Sequence, residues 1–356
     1  MLLTENMFNA NSVATAYRKT EDANNAIPMV GPAFFPPQKK MGLDINTIRI
    51  HKGKYVQLAA SNFDAMPTLR VRGTFTGDSK QMAFFREAMQ VNEHDLIELA
   101  KISDMNSPFL DDIMSNIYDD TTQLVEGADI VPEIMRMQLL CPKNGEMKIY
   151  IDDNGVLYEY NYDPDTTWKQ NNYKQVDTDW TDKTAKPFDD VKAAKRQLAK
   201  TGVVPRYALM NQTTFDMLGQ IDSVRNAVLA QNLTATIDLD DDTIRNIWMK
   251  KTQVTPVIYD KVYVDKSTGK PTPFFADGYV TLLPGVVGTT WYGTTPEELA
   301  KLGNTNVDVT LVDNRVCVAV KRDYGAPVTI TTTVSEIVLP SFEYMDSVYV
   351  LKVVGE

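Results

Sequence analysis

The sequence predicts an α+β fold, and three observations carry that prediction. Between Asp111 and Leu140 the apolar residues Ile113, Ile117, Leu124, Ala128, Val131 and Met135 recur three, four or seven positions apart, the period of one helical face. The runs Glu146–Ile151 and Val156–Asn161 flank Asp152-Asp153-Asn154-Gly155, and an Asn-Gly pair between such runs is a strong hairpin signal. From Val307 onward nearly every segment is strand-forming, so a strand-rich end follows the helical stretch.

Taken in order, residues 1–40 are rich in Asn, Thr and Ala and end in Gly31-Pro32-Ala33-Phe34-Phe35-Pro36-Pro37. Prolines at this density argue against helix and sheet ladders, so an extended arm with two aromatic anchors is expected. Residues 44–60 read as strands around the turn His51-Lys52-Gly53-Lys54. After Pro67, strict alternation places Leu69, Val71 and Phe75 on one face and Arg70, Arg72 and Thr74 on the other. With the glycines that follow, this is a polar hairpin with Lys80 near its tip. His94–Ile102 is a candidate helix, and Gly127 and Pro132 predict a kink or break of the long helix near 128–132.

Residues 163–186 read as a long loop. From Pro187 the pattern is mixed: a helix to about Thr201, a buried strand Tyr207–Met210, a short helix Thr213–Gln220 and a helix near Asp242–Lys250. Strands follow at Thr255–Tyr259, Lys261–Val264 and Tyr279–Leu283, and then at Val307–Val312, Arg315–Lys321, Val328–Thr333 and Val348–Val353. No internal repeat is present.

The 356 residues are 43% hydrophobic and 23% charged, ample for a buried core. No run approaches the ~20 apolar residues of a membrane span, and the first residues lack the pattern of an export signal. The net charge of −11 argues against a protein whose main task is gripping nucleic acid. Residues 1–90 carry 11 Lys/Arg against 7 Asp/Glu, a net of +4, which leaves −15 for residues 91–356. A basic N-terminal region lying on an acidic neighbour would suit that split.

Motifs for catalysis are missing. The two histidines, His51 and His94, and the two cysteines, Cys141 and Cys317, form no zinc pattern and sit in no recognisable triad context. The cysteines read as reduced, buried thiols. Ser267-Thr268-Gly269-Lys270 lacks the upstream glycine of a phosphate loop and reads as a hairpin turn. Asp238-Leu239-Asp240-Asp241-Asp242 lacks the Gly and distal Glu of a calcium loop and reads as a helix cap. No metal, cofactor or catalytic residue is expected, although no one pair among the 47 acidic residues can be singled out or dismissed as a glycosidase pair.

The order of elements resembles the lambda E-type major capsid proteins of tailed phages. Phe34–Pro37 is similar to that family's arm anchor, and residues 48–73 to the peripheral strand leading into its E-loop. Asp111–Leu140 resembles its spine helix, Glu146–Tyr162 the hairpin after it, and Pro187–Gln220 the entry to its axial domain. Residues 336–350 resemble the closing segment. The resemblance implies an arm (1–43), peripheral strands (44–63), an E-loop hairpin (64–90), a peripheral domain with spine helix (91–186), an axial domain (187–335) and a return to the peripheral domain (336–356). It implies a non-enzymatic subunit that self-assembles into hexamers and pentamers of an icosahedral shell around double-stranded DNA, in a virion assembled in the host cytoplasm. Its implied partners are a scaffolding protein, a portal, a decoration protein and non-specifically contacted DNA, with no membrane. Phe34, Phe35, Arg70, Arg72, Phe75 and Lys80 are the expected inter-subunit contacts. The residues of a lysine-asparagine crosslink cannot be placed. Two other readings are an encapsulin-like compartment shell, which a neighbourhood of terminase and portal genes would exclude, and a β-rich carbohydrate-active enzyme, which would show two converging carboxylates in a cleft.

Overall fold

A computed structural model describes residues 9–23, 28–49, 76–94, 96–97, 109–153, 155–229, 239–300, 307–325 and 327–355. Seventeen strands occur among them. The first nine are β1 (Pro37–Lys39), β2 (Asp44–Arg49), β3 (Thr76–Gln81), β4 (Ala83–Val91), β5 (Lys148–Asp153), β6 (Val156–Asn161), β7 (Tyr173–Gln175), β8 (Tyr207–Met210) and β9 (Thr255–Ile258). Then come β10 (Val262–Val264), β11 (Pro271–Pro273), β12 (Tyr279–Leu283), β13 (Thr289–Tyr292), β14 (Val307–Val312), β15 (Val316–Asp323), β16 (Thr329–Ser341) and β17 (Tyr349–Lys352).

The larger sheet is organised on β16, whose thirteen residues are mostly β-branched and so suit a pleated surface. One edge of β16 pairs first with β15 (Ser335 opposite Cys317) and then with β13 (Val338 opposite Tyr292). Its other edge pairs with β4 along Ile330 to Val338. The sheet runs β1-β13-β16-β15-β14, with β4 on the far side of β16. Alternate residues Ile330 and Val334 turn toward the helix Phe109–Leu140 and join Val125, Val318 and Val320 in one core.

That core also takes Ala10, Val13, Ala14 and Tyr17 from a helix at Ala10–Ala23. The extended reading of residues 1–40 is therefore corrected over this segment, since its small residues at helical spacing cover apolar sheet surface. Residues 28–40 also depart from it. Gly31–Phe34 forms one helical turn with Pro at its start, where the missing N–H costs nothing, and β1 adds a parallel strand to β13. The proline-rich stretch thus tolerates both a turn and an edge strand.

The second sheet runs β7-β17-β12-β8-β9 and carries helices Pro187–Ala199, Gln212–Met217, Asp222–Leu229 and Asp241–Thr252. Trp180, Phe188, Val191, Phe215 and Trp248 fill its core, the two tryptophans meeting edge to face at 6.1 Å. The acidic run does cap a helix, because the Asp240 carboxylate accepts from the Thr243 N–H at 3.2 Å. Asp240→Ala should cost about 1 kcal/mol in urea unfolding, the usual cap loss. Ser267–Lys270 forms the turn of the β10–β11 hairpin, with Gly269 at φ +64°.

The helix Phe109–Leu140 is continuous through Gly127 and Pro132, so of the kink or break expected there the break does not occur. From Pro132 onward this helix is buried nearly all round, and the packing outweighs the lost hydrogen bond. The 163–186 loop contains a helix, Thr167–Asn172, and β7. The expected 64–90 hairpin divides differently. β3 pairs with β2 in a ladder of its own, whereas β4 belongs to the larger sheet, and residues 50–75 lie outside the described residues. His94–Ile102 lies mostly outside them too. Residues 187–335, expected as one unit, contribute to both sheets, and β17 enters the second sheet rather than the first.

Candidate functional site

The β2–β3 ladder pairs with no third strand among the described residues, and residues at both of its ends attach it to the rest of the chain, Arg49 (opposite Thr76) at one and Lys80 and Gln81 at the other. Three groups hold it. Arg49 Nη2 lies 2.5 Å from the Asp346 carboxylate, and its Nη1 lies 3.8 Å from Asp163. Lys80 Nζ donates to the Asn161 carbonyl at 2.7 Å and stands 3.9 Å above the Tyr162 ring. Tyr160 Oη donates to the Gln81 carbonyl at 2.8 Å, and just beyond the ladder Phe85 of β4 packs against Tyr158 at 5.6 Å.

The clamp is built by the β5–β6 hairpin, where Gly155 takes φ +75° and gives the turn the left-handed backbone it requires. Burial pushes the Tyr160 hydroxyl up to about 12 and raises that of Tyr162 as well, so both remain neutral donors. Lys80 therefore sits at the base of its ladder, opposite Ile45, and not near a tip.

Phe34 and Phe35 are 4% and 0% exposed within the subunit itself. Phe35 meets Phe342 edge to face at 5.3 Å, and Phe34 meets Tyr207 at 6.1 Å. A Cβ on Gly288 would collide with the Phe35 ring and the Ser341 carbonyl, which shows how closely the arm is seated. The apolar surface of these rings, expected at a contact with a neighbour, is already covered by their own chain. Arg70, Arg72 and Phe75 lie outside the described residues.

Beneath the arm lies a buried polar seam. Glu133 and Arg136, 0% and 1% exposed, pair at 3.1 Å. Glu133 also accepts from the Gly31 N–H and from Tyr259 Oη, each at 2.9 Å. Arg136 donates to Thr290 at 2.9 Å and to Tyr292 at 3.1 Å. One turn earlier, Asp129 accepts from Arg315 at 3.0 Å and from Tyr17 at 2.5 Å. The seam thus joins both N-terminal segments, the long helix and the larger sheet.

Sequence reasoning missed Arg49, Glu133 and Arg136. The available signal was a charged pair three residues apart inside Ile130–Leu140, a run too apolar to present an exposed face.

No group of metal-ligating side chains occurs among the described residues, and none of their helices is long and apolar enough to cross a membrane. Cys141 and Cys317 are buried, and burial pushes their thiols up to about 12 and about 11, which makes them poor nucleophiles.

The chain resembles phage proteins of known structure along almost its whole length. The putative capsid protein of an Escherichia coli CFT073 prophage superimposes with a TM-score of 0.58 at 13% identity, covering 98% of this chain and 99% of that one. A phage-related protein from Bordetella bronchiseptica RB50 gives 0.54 at 12% identity over 96% and 95%. The capsid asymmetric unit of cyanophage A-1(L) gives 0.51 at 12% identity over 92% and 93%. No curated protein matches the sequence. Shared fold is what those structures establish; residues 12–312 match the profile described as phage major capsid protein E, and with that match over most of its length the chain belongs to the phage major capsid protein E family.

Proposed function

We propose that this subunit closes into an icosahedral shell of hexamers and pentamers around the double-stranded DNA of a tailed phage, with a scaffolding protein, a portal and a decoration protein as its partners. The family match over residues 12–312 carries the reading. The ladder of β2 and β3 supports it, being an element outside both sheets of the kind that assembly on a neighbour would bury. The net charge of −11 supports it as well, because an acidic lining repels packaged DNA and leaves it free to move. Assembly takes place in the host cytoplasm, and the DNA contacts are non-specific.

The family match favours this reading over a cargo compartment of related fold. The carbohydrate-enzyme reading required two converging carboxylates in a cleft. A groove of about 350 Å³ does contain Glu87 and Glu297. Glu297, however, accepts from Ser335 at 2.8 Å and from Arg86 at 3.0 Å, and Glu87 faces Lys266 at 3.2 Å. Burial would raise the Glu297 carboxyl, but its hydrogen bonds from the backbone, Ser335 and Arg86 hold it below the usual carboxylate range. A general acid needs the opposite shift.

Electron microscopy of the full chain, expressed with the scaffold of its own operon, should show closed shells. A species that stays monomeric across concentration and crowding agents would overturn the assignment.

A further inference from the structure

Glu336 occupies the one helix-facing position of β16 where a carboxyl replaces an apolar side chain, in register with Ile330, Val334 and Val338. It is 1% exposed, and neither carboxyl oxygen has a hydrogen-bond partner among the described residues. It also stands at a handover in the sheet: β15 ends its pairing at Ser335 and β13 begins at Val338, so on that edge of β16 Glu336 has no partner strand.

The charged and titratable groups around it come from every packed element. The long helix supplies Asp129, Glu133 and Arg136, the β14–β15 turn supplies Arg315 with Asp313 beside it, and β13 supplies Tyr292. Tyr17 reaches Asp129 from the N-terminal helix. Asp129 is matched by Arg315 and Glu133 by Arg136, each at about 3 Å, so the buried charges cancel without Glu336. An ionised Glu336 would leave one uncompensated negative charge in the seam.

We propose that Glu336 is a proton-held latch: as the neutral acid it keeps the long helix seated on the larger sheet, and release of its proton to solvent weakens that seam. Burial first, and then the neighbouring Asp129 charge, raise this carboxyl well above its ordinary range, against the lowering effect of Arg136 and Arg315. The sign follows from linkage. The unfolded chain gives up the proton near the ordinary carboxylate value, the folded chain only at a higher pH. Between those values the folded-to-unfolded ratio falls about tenfold per pH unit, and it is fully preserved below them.

The test is urea unfolding of the full-length chain and of Glu336→Gln across pH, paired with infrared spectra in the protonated-carboxyl carbonyl region. The two proteins should coincide below about pH 4.5, and above it wild type should lose about tenfold per pH unit relative to the variant until the carboxyl ionises in the fold. A protonated-carboxyl band should persist in wild type at neutral pH and be missing from the variant. Should Glu336→Gln not fold, Glu336→Leu serves in its place, and the wild-type band with its loss as the pH rises is read alone. Parallel stability profiles, or a neutral-pH spectrum without the band, would overturn the latch. The shell reading is indifferent to either result, because both measurements are made on the subunit.

Discussion

Arg136→Met should destabilise the subunit by about 3–5 kcal/mol in urea unfolding, enough to unfold a marginal protein. The substitution fills most of the same space, so the loss comes from leaving the Glu133 carboxylate buried beside two neutral donors, Gly31 N–H and Tyr259 Oη. Removing both charges, as Glu133→Leu with Arg136→Met, should cost less than the sum of the two single changes, because no unpaired ion then remains. It should not be neutral, since the Gly31 amide, Tyr259 and Thr290 lose partners. Additive losses in this double-mutant cycle would show that the pair acts only through packing.

Charge reversal at Arg70→Glu with Arg72→Glu is expected to separate folding from assembly. The two-residue period puts both arginines on one face of their segment, in the part of the chain that carries the positive excess. One rim pair contributes only about 0.2–1 kcal/mol. The thermal unfolding of the subunit should therefore stay within about 1 kcal/mol of wild type, as for surface positions. The same small term recurs at each contact of a closed shell, so shell formation should be lost or become strongly salt-sensitive. Normal assembly of the double reversal at low salt, judged by sedimentation and microscopy, would mean that these arginines are only solvated.

The sequence made the locally determined elements legible and left the long-range ones hidden. The stripe from Ile113 to Met135 locates the long helix, Asn154-Gly155 locates the β5–β6 turn, and Asp240 locates a cap, because each signal arises within a few residues of its effect. Membership of a sheet is a different matter. Nothing within Tyr173–Gln175 announces that it pairs with residues some 175 positions later. Pro132 and Pro36-Pro37 misled for the opposite reason, since a local rule was overridden by burial and by an edge position. Of the site, Phe34 and Phe35 are legible as large apolar side chains beside prolines; that their own chain covers them is not. Glu133 and Arg136 have a spacing equally typical of an exposed salt bridge, and only the apolar content around them indicates otherwise.

The position of β17 has a consequence for synthesis. It lies between β7 and β12, pairing in parallel with Tyr173–Gln175 and antiparallel with Tyr279–Leu282. Every other strand of that sheet leaves the ribosome earlier, so a nascent chain that has not reached residue 349 holds β12 with an open edge and β7 with nothing to pair against. Completion of this sheet thus waits for residues 349–352. A copy that stops before residue 349 carries an unfinished sheet, the kind of exposed edge that chaperones and proteases recognise.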